Sequence, residues 1–178
     1  MPVTISGSGA ITGFDPVTSG FGKVLQVVST TKSDTFTASL ATEAIAPITG
    51  LSVSITPVSS TSKVLIMVNI SAGSSGTDIS PMFILERSGS PIAIGDSAGT
   101  RTRVTFGADL YVTTAGMQTV GITYLDSPAT TSATTYSVDV MHSSATTQTV
   151  YVNRSQADND LIRRGRAIST ITAIEVAA

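Results

Sequence analysis

The chain has 178 residues, no cysteine, a formal net charge of −2 and only 12% charged residues. A domain of this length buries a core without a disulfide or metal staple, and the lack of cysteine excludes thiolate metal sites and cysteine nucleophiles. Ten Lys and Arg spread among twelve Asp and Glu give no basic footprint, so neither nucleic acid nor anionic lipid is expected as a partner.

Ser and Thr supply 53 residues, a balance that exposed strand faces tolerate and helices do not favour. The opening MPVTISGSGAITG has no cationic stretch followed by an apolar run, so it does not read as a secretory signal, and no window is long and apolar enough to span a membrane. Residues 1–22 alternate Gly, Ser and Thr with single apolar residues, too loosely for a packed element, and are expected to form an extended attachment arm.

From Lys23 onward, short apolar runs of period two alternate with Gly, Pro, Ser and Asp clusters. KVLQVVSTT is the first expected strand. Leu51, Val53 and Ile55 alternate with Ser52, Ser54 and Thr56, the pattern of a strand with one wet face. Between Val64 and Val68 the segment SKVLIMVNISA is apolar at both parities, which predicts cover on both faces. MFILER and IAI flank Ser88 and Gly89, predicting a tight hairpin with Pro91 on an edge.

RVTF, QTVGITYL, TYSVDVMH, TVYVN and AISTITAIEV complete the expected strands. The last carries Ile168, Ile174 and Val176 on one parity and Ile171 on the other, as a central strand would. ATEAIA is too short to nucleate a helix alone. The expected fold is all-β, a single two-sheet antiparallel jelly roll over residues 23–178.

No enzymatic activity is expected. His142, the only histidine, closes a strand, and no spacing among the twelve acids singles out the positioned carboxylate pair that glycoside hydrolysis needs. Asp158, Asn159 and Asp160 form an oxygen-rich run that lacks the glycine and distal glutamate of a calcium loop and reads as a solvated turn. No metal or cofactor is expected.

Arg163, Arg164 and Arg166 flank Gly165 in a basic loop suited to a phosphate, an acidic sugar or an acidic patch, and pairing with Asp158 and Asp160 of a neighbouring subunit is the favoured reading. Arg101 and Arg103 share a strand face and are expected to pair with Asp96 or Asp109. Sequons at Asn69 and Asn153 are discounted, Asn69 being expected inside a buried strand. Tyr111, Tyr124, Tyr136 and Tyr151 are expected in core and interface roles rather than in a sugar site.

LERSGSPIAIGDSAGTRTRVTFG, TYLDSPATTSATTYSVDVMH, TVYVNRSQADND and the terminal ISTITAIEV, in this order and spacing, resemble a domain recurrent in bacteriophage virion structural proteins of the marine and cyanobacterial phage type. The resemblance covers residues 23–178. It implies a virion protein, a tail fibre or appendage module, whose jelly roll is similar to homotrimeric modules of the tumour-necrosis-factor and C1q type. It implies self-association about a threefold axis, through Val64, Ile66, Val68, Tyr124, Tyr151, Ile171 and the loop of Arg163, Arg164 and Arg166. Attachment to other virion proteins would run through residues 1–22.

A fibre needs a shaft, and no heptad or fixed repeat supplies one. A short tip and a capsid decoration protein therefore stand as equal readings. A carbohydrate-binding receptor-recognition module, with a host-surface glycan as partner, is the reading from another class.

Overall fold

A computed structural model describes residues 22–75, 79–107 and 115–177, together with two short paired strands nearer the N-terminus, β1 (Thr4–Ile5) and β2 (Ile11–Thr12). The rest of the expected arm lies outside the described residues. Eleven further strands form two antiparallel sheets, and no helix occurs among the described residues.

The first sheet holds β3 (Val24–Lys32) and β4 (Phe36–Leu40), β12 (Gln148–Val152) and β13 (Ser169–Val176), β6 (Lys63–Ser74) and β10 (Gln118–Asp126). β13 and β12 share one side of β6, carrying β3 and β4 beyond them, and β10 takes the other side. The second sheet runs β5 (Ala46–Ile55), β11 (Thr134–His142), β7 (Pro81–Arg87), with β8 (Ser90–Ile92) and β9 (Phe106–Gly107) on its far edge. The chain crosses between sheets at β4–β5, β5–β6, β6–β7, β9–β10, β10–β11 and β11–β12, which is the jelly-roll path.

Period-two patterning decides which side chains meet. Leu51, Val53 and Ile55 of β5 and Phe83 and Leu85 of β7 face Val64, Ile66, Val68 and Ile70 of β6, all at most 3% exposed. This corrects the expectation for Val64, Ile66, Val68 and Ile171: they are core residues of one chain, covered by its own second sheet, and are not available for subunit contact. β13 is central as expected, lying between β3 and β6.

Ser88 and Gly89 both take positive φ, 50° and 77°, as the tight turn between β7 and β8 demands, and Pro91 sits on edge strand β8. The strand expected at RVTF shrinks to β9 because the Thr105 hydroxyl does the joining: it accepts from Leu85 N and donates to the Ile92 carbonyl. Arg103 reaches the Gly95 carbonyl at 2.6 Å instead of pairing with Asp96. Asp109 and Tyr111 lie outside the described residues.

Three polar pins close the sandwich. At one end Arg87 and the Tyr136 hydroxyl both donate to buried Asp126, joining the second sheet to β10. Burial pushes the Tyr136 phenol well above its ordinary value, helped by that bond to Asp126. Glu175 of β13 is fully buried and accepts from Gln26 at 2.6 Å and from the Val58 amide at 2.8 Å. Burial alone would raise its carboxyl, but the hydrogen bonds, led by that of Gln26, hold it below the ordinary value.

The third pin is Asn153, fully buried with φ of 63°. Its amide nitrogen donates to the carbonyls of Lys32 and Asp34, its oxygen accepts from Ser169, and its backbone amide donates to Ser71. Replacing Asn153 by Ala takes the side-chain donor from two carbonyls and the acceptor from the Ser169 hydroxyl, which keeps only the bond it accepts from the Ser71 amide, at a cost of about 3 kcal/mol. Urea unfolding should show that loss, with Asn69→Ala as an exposed control within about 0.5 kcal/mol of the parent. A loss below about 1 kcal/mol at Asn153 would remove the pin.

Candidate functional site

The registers that fill the core also write the outer face of the first sheet. Val27, Ile174, Leu65 and Leu125 form one transverse row across β3, β13, β6 and β10. Ser29, Thr172, Met67 and Thr123 form the next row, and Thr31, Thr170, Asn69 and Gly121 the one after. Val27 is 59% exposed and Leu125 53% at the two ends of the apolar row, Ile174 and Leu65 are half-buried between them, and Met67 in the next row is 38% exposed.

None of these rows carries a charge. Hydroxyls satisfy one another across strands: Ser29 Oγ lies 2.8 Å from Thr172 Oγ1, and Ser71 Oγ 3.0 Å from Thr119 Oγ1. At one end Lys63 donates to Ser127 Oγ. Gly121 is required where β10 meets β6, since a Cβ there would run into the Val68 carbonyl oxygen and Asn69 Oδ1. Shallow depressions flank Asn69, one against Met67, Gly121 and Thr123, the other against Ser71, Thr119, Thr170, Ile168 and Arg166.

The segment joining β12 to β13, residues 153–168, borders this face. Asp158 bridges Arg166 at 2.7 Å and Arg154 at 3.3 Å, and Arg154 also lies over the Tyr151 ring at 4.6 Å. This corrects the expectation that Asp158 awaits a neighbouring subunit: it is paired within its own chain. Arg164 Nε donates to Asn159 Oδ1, and its amide to the Leu161 carbonyl, closing a turn that displays Leu161, Ile162 and Arg163. A third depression is lined by Asp158, Asn159, Asp160, Leu161, Arg164 and Arg166.

The other candidates are placed apart. Tyr124 faces inward at the edge and packs against the core, Tyr136 is core, and Tyr151 lies under Arg154, so these three do not converge on a stacking platform. His142 is buried at a strand end, its Nε2 2.9 Å from the Leu40 carbonyl and its Nδ1 accepting from Ser144 N, an arrangement the neutral ring satisfies. Asn153 of the second sequon is buried. Asn69 of the first is exposed on the outer face, contrary to expectation, because its parity points away from the core.

Asp126 and Glu175 flank Val64 in one inward row, yet neither lines a depression described above and each is held by its own donors. Among the described residues no group of three His, Cys, Asp or Glu side chains could hold a metal ion. Val27, Leu65, Met67, Leu125 and Ile174 were missed as surface residues. The double parity of residues 64–68 was the available signal, but it does not say which parity faces the second sheet.

The outer face of the second sheet is different. Glu86 and Asp139 lie one register step apart on β7 and β11, Asp139 opposite Ile84 and Glu86 opposite Ser137. Asp139 Oδ1 is buried with no hydrogen-bond partner. Burial raises the Asp139 carboxyl above its ordinary 3.8, and burial together with the Asp139 charge raises that of Glu86.

No family model and no curated protein matches the chain. Among the solved structures to which the chain is similar is that of infectious bursal disease virus Gx strain, with a TM-score of 0.43 and 17% sequence identity. That match covers 86% of this chain and 37% of the other, so this chain spans little more than a third of that chain's length.

A carboxyl whose folded value lies above its unfolded one binds its proton more tightly when folded, so stability falls as pH rises through that interval. Asp139→Asn should therefore melt about 2–4 °C higher than the parent at pH 7 in dilute solution, with the advantage shrinking as pH is lowered toward 4. An unchanged or lower melting temperature at pH 7 would show that Asp139 carries no such strain.

Proposed function

We propose that the chain is a non-enzymatic structural protein of a virus particle that assembles with copies of itself. The observation that carries this reading is the three uncharged rows on the outer face of the first sheet, beginning with the apolar row of Val27, Ile174, Leu65 and Leu125, which is open at both ends. A face without charge meets a copy of itself, or another face of the same chain, without like-charge repulsion. Four strands spaced by ~4.8 Å and three rows spaced by ~6.8 Å make these rows about 400 Å² a side, so two such surfaces bury ~800 Å², the low end for a specific contact.

The resemblance of residues 23–178 to phage virion proteins supports the particle assignment and, within it, a homotrimeric module at a tail fibre or appendage tip, attached through residues 1–22. Capsid decoration is the alternative from the same class. The engagement of His142, Asp126 and Glu175 with structural partners supports a role without catalysis. A glycan-binding role is favoured only by the hydroxyl-lined depression of Asn69, Ser71, Thr119, Thr170 and Arg166, and it lacks an aromatic platform.

Immunogold electron microscopy of purified particles tests the assignment. Label at the tail supports the appendage module, label over the head supports decoration, and particles without label overturn the virion reading. For self-association, Leu125→Arg places an unpaired charge in the apolar row and should lower the mass seen by sedimentation velocity to that of one chain, with unchanged circular dichroism. A variant that assembles like the parent would take the face out of the contact.

A further inference from the structure

We infer that β10, an open edge of the first sheet, pairs antiparallel with β10 of a second copy about a twofold axis at Ile122. This rests on reading the chain as self-assembling. It adds a contact through backbone at the sheet edge to the contact through side chains on the sheet face.

The first sheet has β3 and β4 along one edge and β10 along the other. β3 is shielded: Lys23 precedes it, buried Lys32 ends it, and its register against β13 is broken near Val176. Lysines, inward charges and bulges of this kind keep an edge strand from pairing with other chains. β10 has none of them. Gln118–Asp126 runs nine residues in unbroken register with β6, without Lys, Arg or Pro and without a charge before Asp126. Among the described residues no strand pairs with its far side.

The hydrogen bonds of β6 fix which backbone groups of β10 face outward. Ser71 turns its amide to the Ser169 hydroxyl and its carbonyl to the Asn153 amide, both on the side of β6 away from β10. Thr119, opposite Ser71 in the ladder, therefore belongs to a non-hydrogen-bonded pair and directs its own amide and carbonyl away from β6. The two-residue period repeats this at Gly121, Thr123 and Leu125, and all four residues are exposed. Such a row of outward amides and carbonyls is a template for another strand.

The inward side of β10 is underfilled as well. Val120, Ile122 and Tyr124 pack against the core yet stay half-buried, whereas Val64, Ile66, Val68 and Ile70 of β6 are at most 1% exposed. A strand beyond β10 would cover these three side chains.

The strand that fits is β10 itself. Antiparallel about Ile122, Thr119 meets the partner's Leu125 and Gly121 meets the partner's Thr123, so the outward amides and carbonyls of both copies are all paired. Shifting the register by two residues leaves an end of the row empty. Inward, Val120 lies against the partner's Tyr124 and the two Ile122 side chains meet at the axis, a β-branched and aromatic cross-strand set. No like charges oppose each other, because Asp126, held by Arg87 and Tyr136, falls opposite Gln118. The contact is isologous, the same patch on both copies, and it runs the outer faces of the two first sheets into one wider surface.

The chain has no cysteine, so single cysteines report the register. Ile122 opposes itself with Cβ atoms ~4.5–5.5 Å apart, near enough for a disulfide after a small adjustment, whereas Thr119 lies ~20 Å from the partner's Thr119. In the full chain under mild oxidation, Ile122→Cys should cross-link into pairs about tenfold more than Thr119→Cys. Leu125 lies on β10 as well as in the apolar row, so Leu125→Arg breaks both contacts; Val27→Arg, on β3, breaks only the face contact and should sediment as two chains. Adding Thr123→Pro removes an outward amide and none from the β6 ladder, and should weaken that pair about tenfold or more with unchanged circular dichroism. If the parent assembles but Ile122→Cys cross-links no better than Thr119→Cys, or Val27→Arg sediments as one chain, the edge pairing is wrong and the self-assembly reading stands. A parent that stays monomeric at all concentrations overturns both.

Discussion

Asn153 holds a left-handed backbone conformation in a fully buried site, and it is tolerated there because every polar group it carries has a partner. Its amide spans the corner where β3 gives way to β4, and its oxygen takes the Ser169 hydroxyl at the start of β13. Its backbone amide and carbonyl bond Ser71 and Ala167. The edge strand of the first sheet and the strand beside it are both split at this point, β3 from β4 and β12 from β13. One residue therefore sets how the sheet bends and where residues 154–168 leave it, and those residues carry the arginines.

The charged groups of the chain divide by location. Asp126 and Glu175 point inward at one end of the sandwich, where Arg87, Tyr136, Gln26 and the Val58 amide satisfy them. Lys32 is buried and paired with exposed Asp34, and that bond draws the Asp34 carboxyl below its ordinary value. Three rows on the outer face of the first sheet are left to Thr, Ser, Asn, Gly and apolar side chains, with Lys63 at one end, while on the second sheet Glu86 and Asp139 lie beside the buried side chains of Ile84 and Met141. A free monomer gains nothing from an apolar row open at both ends and an isoleucine held at a turn apex; a contact between copies gives each a partner.

Much of the fold was legible in the sequence because its strands alternate cleanly. Leu51, Val53 and Ile55 named their buried parity, Ser88 and Gly89 named their turn, and the double-parity apolar pattern of the closing strand marked it as central. β4 was not legible, because Phe36, Ala38 and Leu40 alternate with Thr and Ser over only five residues. The first half of β5 was hidden by Pro47 and Gly50, whose irregularity is absorbed by a register shift against β11. At residues 64–68 both parities were apolar, and only the position of the second sheet decides that Val64, Ile66 and Val68 go inside while Leu65 and Met67 stay out. The Asp158 bridges depend on how residues 154–166 fold back, which spacing does not encode, and the Asn153 pin read as a glycosylation sequon because its partners lie far away in sequence.

The central claim is that the outer face of the first sheet is an assembly surface. A cryo-electron-microscopy reconstruction of the assembled full chain tests it most directly. Expected is an assembly in which the row of Val27, Ile174, Leu65 and Leu125 is covered by the next copy. An assembly that leaves this row in solvent would contradict the claim.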